Sequence, residues 1–424
     1  MKWLTILFSA LLLAAQAPAP SAGPLDAIAR DYVRLQLEID ARDEGYVDAY
    51  YGPAEWREAA RASPRELPAL AEAVSALQGR LAAVTVPEGS MEARRIAFLN
   101  AQLTAAATRL RMVRGERLSF AEEARGLYGV TPELRPLTDY DPLLARIEAL
   151  VPGEGPLPER IEAFTARFTI PADRLDVVMR AAIAECRRRT VAHIPLPEGE
   201  AFTLEFVTNQ PWSGYNWYQG NYRSLIQINT DQPVRLGRAV DLGCHEGYPG
   251  HHAYNALLER ELARGRGWIE YMVYPLYSPQ SFIAEGSANY GIDLAFPGEE
   301  RLRFETETLY PLAGLPTEGA AEYLALQEAL EELSGARFTI ARDLLEGRIG
   351  EDEAVALARR YQLMTESRAR QSIAFTRRYR SYVINYGLGA DWVRGYVESM
   401  PGRHWETMRE ILSAPTLPAD LVIP

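Results

Sequence analysis

Apolar residues recur every three or four positions through most of the chain, the pattern of helices that bury one face. From about residue 25 to 195 the stretches "LDAIARDYVRLQLEID", "LPALAEAVSALQGRLAAV" and "ARRIAFLNAQLTAAATRLRMV" all carry it. Gly52-Pro53 breaks the first from the next, Asp141-Pro142 opens another helix, and Pro171 opens one that runs to about His193. After residue 195 the period changes. "AFTLEFVTNQ" (201 to 210) and "SLIQINTD" (224 to 231) alternate apolar and polar positions, as half-buried strands do. They predict a hairpin with an unusually long aromatic loop, "PWSGYNWYQGNYR", between its strands. Helical periodicity returns from Leu236 to about Arg264. It continues in "SFIAEGSANYGIDLAF", "AAEYLALQEALEELSGARF", "EDEAVALARRYQL" and "SRARQSIAFTRRYRSYVINYG". The expected fold is mainly α, with a small β-hairpin sheet next to a histidine-bearing helix. An N-terminal helical region, 18–195, and a C-terminal region, 196–424, are expected to join in one continuous globular unit.

Charge changes this picture only by exclusion. The formal net charge is −12, and no long basic run is present. Nucleic acid is therefore excluded as the main partner, because phosphate binding needs a positive footprint. The first residues, "MKWLTILFSALLLAAQAPAP", place a lysine before a short apolar run and then small residues. This reads as a signal peptide, 1–17, and predicts a periplasmic or secreted protein with no membrane span after cleavage. No cysteine lies near the cleavage point, which argues against a lipid anchor. The two cysteines, Cys186 and Cys244, permit a disulfide in an exported chain without requiring one. A buried free cysteine is the expected role for Cys244.

The chemistry concentrates in "CHEGYPGHH", 244 to 252, which holds three of the five histidines. The zinc-protease signature H-E-x-x-H puts two imidazoles on one helical face, four residues apart. Here the residue four after His245 is Pro249. On an ideal helix His251 would sit about 120° off the face of His245, and His252 about 10.5 Å further along the axis. Neither works unless the helix is interrupted. Pro249 cannot bond back to the carbonyl of His245, and Gly247 and Gly250 allow uncommon dihedrals. A bulge that absorbs two residues would bring His251 into place, so His245 and His251 are the expected ligands. His252 is the alternative ligand, or a neighbour that orients the site. Glu285 lies inside an apolar helical stretch, where a carboxylate needs a partner, and is the expected third ligand. Glu246 would act as general base beside a zinc-activated water.

"CHEGYPGHHAYNALLE", followed about forty residues later by "FIAEGSANYGIDL", resembles the bacterial family labelled domain of unknown function 885. That family is grouped with zinc metallopeptidases that use a glutamate ligand, whose relatives include helical enzymes similar to angiotensin-converting enzyme and the bacterial metallocarboxypeptidases. Dipeptidyl peptidase III is similar in carrying an insertion between its two histidines. The resemblance implies a helical zincin-like architecture, His245 and Glu285 as zinc ligands with a histidine from the 250–252 step, and Glu246 as base. It is strong over 236 to 295. It departs near the C-terminus, where "YRSYVINYGLG" stands in place of the family's proline-glycine-glutamine segment.

The function expected from these residues is an exported zinc-dependent hydrolase, of the carboxypeptidase or dipeptidase kind, acting on a peptide or small amide. Tyr386 is the candidate to stabilise the oxyanion. Tyr215 and Asn216, from the aromatic loop, are candidates to line the substrate cleft, and Arg378 to bind a substrate carboxylate. The strand 224 to 229 is expected to pair with an extended substrate. Two other readings fit the same residues: an exported peptide- or glycan-binding protein with a structural metal or none, and a metal hydrolase of a non-peptide bond.

Overall fold

The computed structural model describes residues 23–210 and 212–422. The candidate signal peptide lies outside the described residues. The molecule is mainly helical with two small sheets. Its centre is the helix Pro279–Ala295, which buries fourteen of its residues on all sides. A helix apolar all round belongs in a core, and "SFIAEGSANYGIDLAF" reads that way.

The strands are β1 (Val47–Tyr50), β2 (Ala201–Val207), β3 (Gly214–Gly220), β4 (Arg223–Asn229) and β5 (Val273–Pro275). β1 pairs antiparallel with β5, which leads into the central helix. The other sheet has the order β2-β4-β3. β2 runs parallel to β4, and β3 runs antiparallel to it. The expected hairpin is thus corrected. Its two strands are parallel neighbours, and the segment read as a loop contains the third strand. Asn216 and Tyr218 are buried, Tyr215 is half-buried and Trp217 exposed, so both faces mix aromatic and polar residues and the alternation is disguised. β4 is also the middle strand, so it has no free edge for a substrate. Among the described residues no strand pairs with the outer edge of β3.

One apolar core runs from the first helices to the last. Tyr32, Phe98, Leu103 and Phe120 share it with Leu257, Phe282, Ile283, Val383 and Met408. Arg95 crosses the same boundary with a buried fork onto Glu270, at 2.5 and 2.9 Å. A second core, with Val178, Met179, Ile226, Ile228 and Val240, fills the space behind the histidine segment. A long helical reading is broken. "SRARQSIAFTRRYRSYVINYG" forms Glu366–Tyr379 and Ile384–Glu398, joined by a tight turn that begins at Arg380 with φ 55°. Glu123, fully buried, fixes that corner by accepting from Arg380 Nε, Ser381 N and Ser381 Oγ at 2.8, 3.0 and 2.7 Å.

Cys186 and Cys244 form a disulfide, with Cα atoms 5.4 Å apart. This corrects the free-cysteine expectation for Cys244. Its side chain does face away from the histidines, but onto the helix Leu175–Val191, where Cys186 waits.

Candidate metal centre

Three segments meet at one point. The π-helical turn Gly243–Gly247 carries His245, the helix His251–Leu258 opens on His251, and the central helix brings Glu285. His245 Nε2 lies 3.1 Å from His251 Nε2 and 3.3 Å from Glu285 Oε2. His251 Nε2 lies 3.8 Å from Glu285 Oε1. One ligand atom from each residue falls within 4.8 Å of the others.

The interruption makes this possible. A π-turn widens the helix, and a cis peptide joins Tyr248 to Pro249. The chain then folds back, and Gly250 N–H donates to the carbonyl of Cys244 at 3.0 Å. A Cβ on Gly250 would lie 1.8 Å from the carbonyl oxygen of His245, so only glycine fits there. Tyr254 N–H donates to Gly250 at 2.9 Å and starts the next helix. The two extra residues are absorbed in this fold-back, and His251 faces His245.

Partners from elsewhere aim the side chains. Asn289, one helical turn after Glu285, places its Oδ1 2.9 Å from His245 Nδ1. Its Nδ2 donates to the Tyr386 carbonyl at 3.0 Å. The Nδ1 proton is thereby held by the amide oxygen, and Nε2 is turned toward the cluster. Tyr382 donates to Glu285 Oε1 at 2.8 Å. Glu285 Oε2 is buried with no hydrogen-bond partner. A buried carboxylate oxygen left bare is costly, and a cation would satisfy it together with both imidazoles. Two histidines and a glutamate are a catalytic zinc set with one position open. The residues therefore fit the metal. The close approach of the helices depends on glycine: a Cβ on Gly286 would lie 2.5 Å from the backbone of Gly389 on the helix Ile384–Glu398.

Electrostatics in the metal-free site follow from burial and the clustered carboxylates. Burial pushes the Glu246 carboxyl up to about 7, against a downward pull from His245. Burial disfavours the His245 cation, but the Glu285 carboxylate 3.3 Å away and the charge of Glu246 outweigh it and raise that imidazole to about 9. Burial holds His251 neutral, down at about 4. The Glu246 side chain itself makes no hydrogen bond among the described residues, while its backbone carbonyl accepts from Asn216 Nδ2 at 2.7 Å. β3 passes close by, since a Cβ on Gly214 would lie 2.9 Å from Glu246 Oε1.

The other sequence-derived candidates divide. His252 is not brought to the cluster. It is fully buried, with Nδ1 2.8 Å from Ser224 Oγ and Nε2 2.9 Å from Glu200 Oε2. Glu200 also accepts from Arg187, at 2.9 and 2.6 Å, and from the Tyr248 hydroxyl. Tyr386 stands near enough for Glu285 and Glu246 to raise its phenol, after the larger effect of burial. Asn216 is mostly buried and holds the Glu246 backbone instead of facing a cleft. The Tyr215 hydroxyl is committed to Asp48, and its ring lies 4.5 Å from Trp217 and 5.5 Å from Trp212. Arg378 is exposed and lies over the ring of Tyr379. Sequence reading missed Asn289 and Asp48. Asn289 had a signal, four residues after Glu285 on the same helical face. Asp48 had none, because no strand was expected before residue 195. Burial raises its carboxyl to about 6, beside Tyr215 and Glu285.

No family model matches the chain, and no curated protein matches it. A solved structure from Colwellia psychrerythraea, described as a "putative lipoprotein", is similar in fold. The TM-score is 0.52 at 15% identity, over 94% of this chain and 74% of that one. A Shewanella oneidensis protein, described as a "putative lipoprotein of unknown function", gives a TM-score of 0.42 at 10% identity, over 96% and 88%.

Proposed function

We propose that this chain is an exported zinc-dependent hydrolase of peptide bonds. One observation carries the reading: two imidazole nitrogens and a bare carboxylate oxygen converge within 4.8 Å, next to a free buried glutamate. When bound, zinc supplies a Lewis acid that acidifies water and polarises a carbonyl. His245, His251 and Glu285 would hold it. Asn289 and Tyr382 keep His245 and Glu285 in their binding orientations. Glu246 takes the proton of the attacking water on its carboxylate and delivers it to the leaving nitrogen. A C–O bond forms as the C–N bond breaks. Tyr386 donates its hydroxyl to the developing oxyanion. The open edge of β3 runs past Glu246 and can pair with an extended peptide. Export is supported by the leader-like start and agrees with the description of the Colwellia protein. The likeness to the domain of unknown function 885 family supports the same assignment.

The test is elemental analysis of the mature chain beside turnover of an N-acylated dipeptide. One zinc per chain is expected, retained in Glu246→Gln, where turnover falls about 10²–10⁴-fold. A wild-type chain that neither contains nor binds zinc overturns the proposal.

A further inference from the structure

Most arginines around the cluster already have a carboxylate. Arg380 pairs with Glu123, Arg238 with Asp241, and Arg109 with Asp43. The hollow lined by Asp43, Arg109 and Arg380 is therefore already neutralised, and it contains no cluster residue. Arg337 differs. It lies half-buried on the helix Ser334–Leu345, and its Nε is buried with no partner. No ion pair reaches it among the described residues. Its guanidinium lies 5.1 Å over the Phe375 ring, a contact that covers one face and engages none of its five N–H donors.

Arg337 is linked to the candidate metal centre through aromatic rings. Phe375 lies 6.5 Å from Tyr386, Tyr386 lies 5.8 Å from Tyr382, and Tyr382 donates to Glu285. The Tyr386 phenol feels the charges of both Glu285 and Arg337. A guanidinium with a buried, unpartnered Nε and no counter-charge is costly. Burial pulls it below its ordinary value, and only Tyr386 opposes this. The cheapest remedy is an anion from outside, and a guanidinium fork matches a carboxylate.

We infer that Arg337 binds the C-terminal carboxylate of the substrate. The substrate class is then peptides, or N-acylated amino acids, with a free C-terminus, cleaved near that end. This rests on the hydrolase reading and deepens it. It also replaces Arg378, which is exposed. Hydrolysis consumes one water. Its oxygen forms the new carboxylate on the acyl side, its proton passes through Glu246 to the leaving nitrogen, and the released amine retains the carboxylate that Arg337 grips.

The zinc-loaded Glu246→Gln protein allows binding to be read without turnover. An N-acetyl dipeptide and its C-terminal amide are titrated by calorimetry. The free carboxylate is expected to bind at least about tenfold more tightly, as a charge-assisted hydrogen bond implies. Adding Arg337→Gln is expected to bring that ratio close to one, and Arg337→Lys to restore part of it. Thermal melts of each variant show that it is folded. Equal binding of the two peptides in the parent, or a preference that survives Arg337→Gln, overturns the assignment. An active zinc enzyme with no carboxylate preference loses only this inference. A chain that binds no zinc loses the hydrolase reading itself.

Discussion

His251 turns its Nε2 toward His245 and Glu285, whereas His252, one residue on, turns both ring nitrogens into a different part of the molecule. Around His251 the polar atoms are under-satisfied: a carboxylate oxygen has no partner, and two imidazoles face each other. Around His252 every group is matched, with Ser224 on one side and Glu200, Tyr248 and Arg187 on the other. In the first region both imidazoles have partial access to solvent, and in the second only Arg187 reaches it. A protein tolerates unpaired polar groups where a ligand completes them, and closes its hydrogen bonds where only structure is needed. The two histidines thus separate a binding site from a structural post behind it.

The sharpest test exchanges the two. His251→Ala is expected to lose zinc by more than the roughly 100-fold that an outer-shell change costs, since a ligand itself is gone. His252→Ala is expected to keep zinc but to lose about 3 kcal/mol of stability, because it strips a partner from the buried Glu200. Metal content and urea unfolding measure the two effects. Equal zinc loss in both variants would erase the distinction between the regions.

Acid should act on the second region in a defined window. Burial alone would raise the Glu200 carboxyl, but hydrogen bonds from His252, Tyr248 and Arg187 outweigh it and hold it down at about 2. A carboxyl lowered on folding stabilises the native state above its unfolded value of about 4.3, and the contribution fades as pH falls toward 2. The wild-type should therefore lose stability between about pH 5 and 2. Glu200→Gln should show a flatter stability profile there from a lower starting point. A slope as steep as the wild-type would place the acid sensitivity elsewhere.

The disulfide joins the two regions, since Cys244 precedes His245 and Cys186 precedes Arg187. It closes a sequence separation of 58 residues, so reduction is expected to cost about 2–4 kcal/mol. Melting with and without reductant reads this. A Cys186→Ala, Cys244→Ala pair melting like the oxidised chain would show that packing alone holds these helices.

What could be read in advance follows from distance along the chain. His245, Glu246 and His251 share one segment, and Pro249 with Gly250 announces the break between them. The helices show their periodicity locally. β3 does not, because aromatic and polar residues occupy both of its faces. β1 is four residues long and pairs with β5 more than two hundred residues away. Tyr382 is aimed at Glu285 by a corner held by Glu123, which lies 258 residues before Ser381. Arg337 looks like an ordinary helix charge until its lack of a partner is seen. Satisfaction of polar groups is a three-dimensional property, and it is what distinguishes both histidines and this arginine.

The finest test compares the residues that hold each imidazole. Asn289 accepts from His245 Nδ1, and Ser224 contacts His252 Nδ1. The contacts are nearly equal in length, at 2.9 and 2.8 Å. Their loss should nonetheless read out differently. Asn289→Ala frees the His245 ring to rotate and removes the acceptor that selects its tautomer, so zinc affinity should fall about 10–100-fold. Ser224→Ala leaves His252 with one bond in a buried position, so stability should fall by about 1 kcal/mol and zinc affinity should hold. Competitive zinc titration and urea unfolding on both variants give four numbers. A zinc deficit in Ser224→Ala equal to that in Asn289→Ala would mean that the post behind the site tunes the metal as strongly as the residues beside it. The boundary between the regions would then lie beyond Glu200, not between His251 and His252.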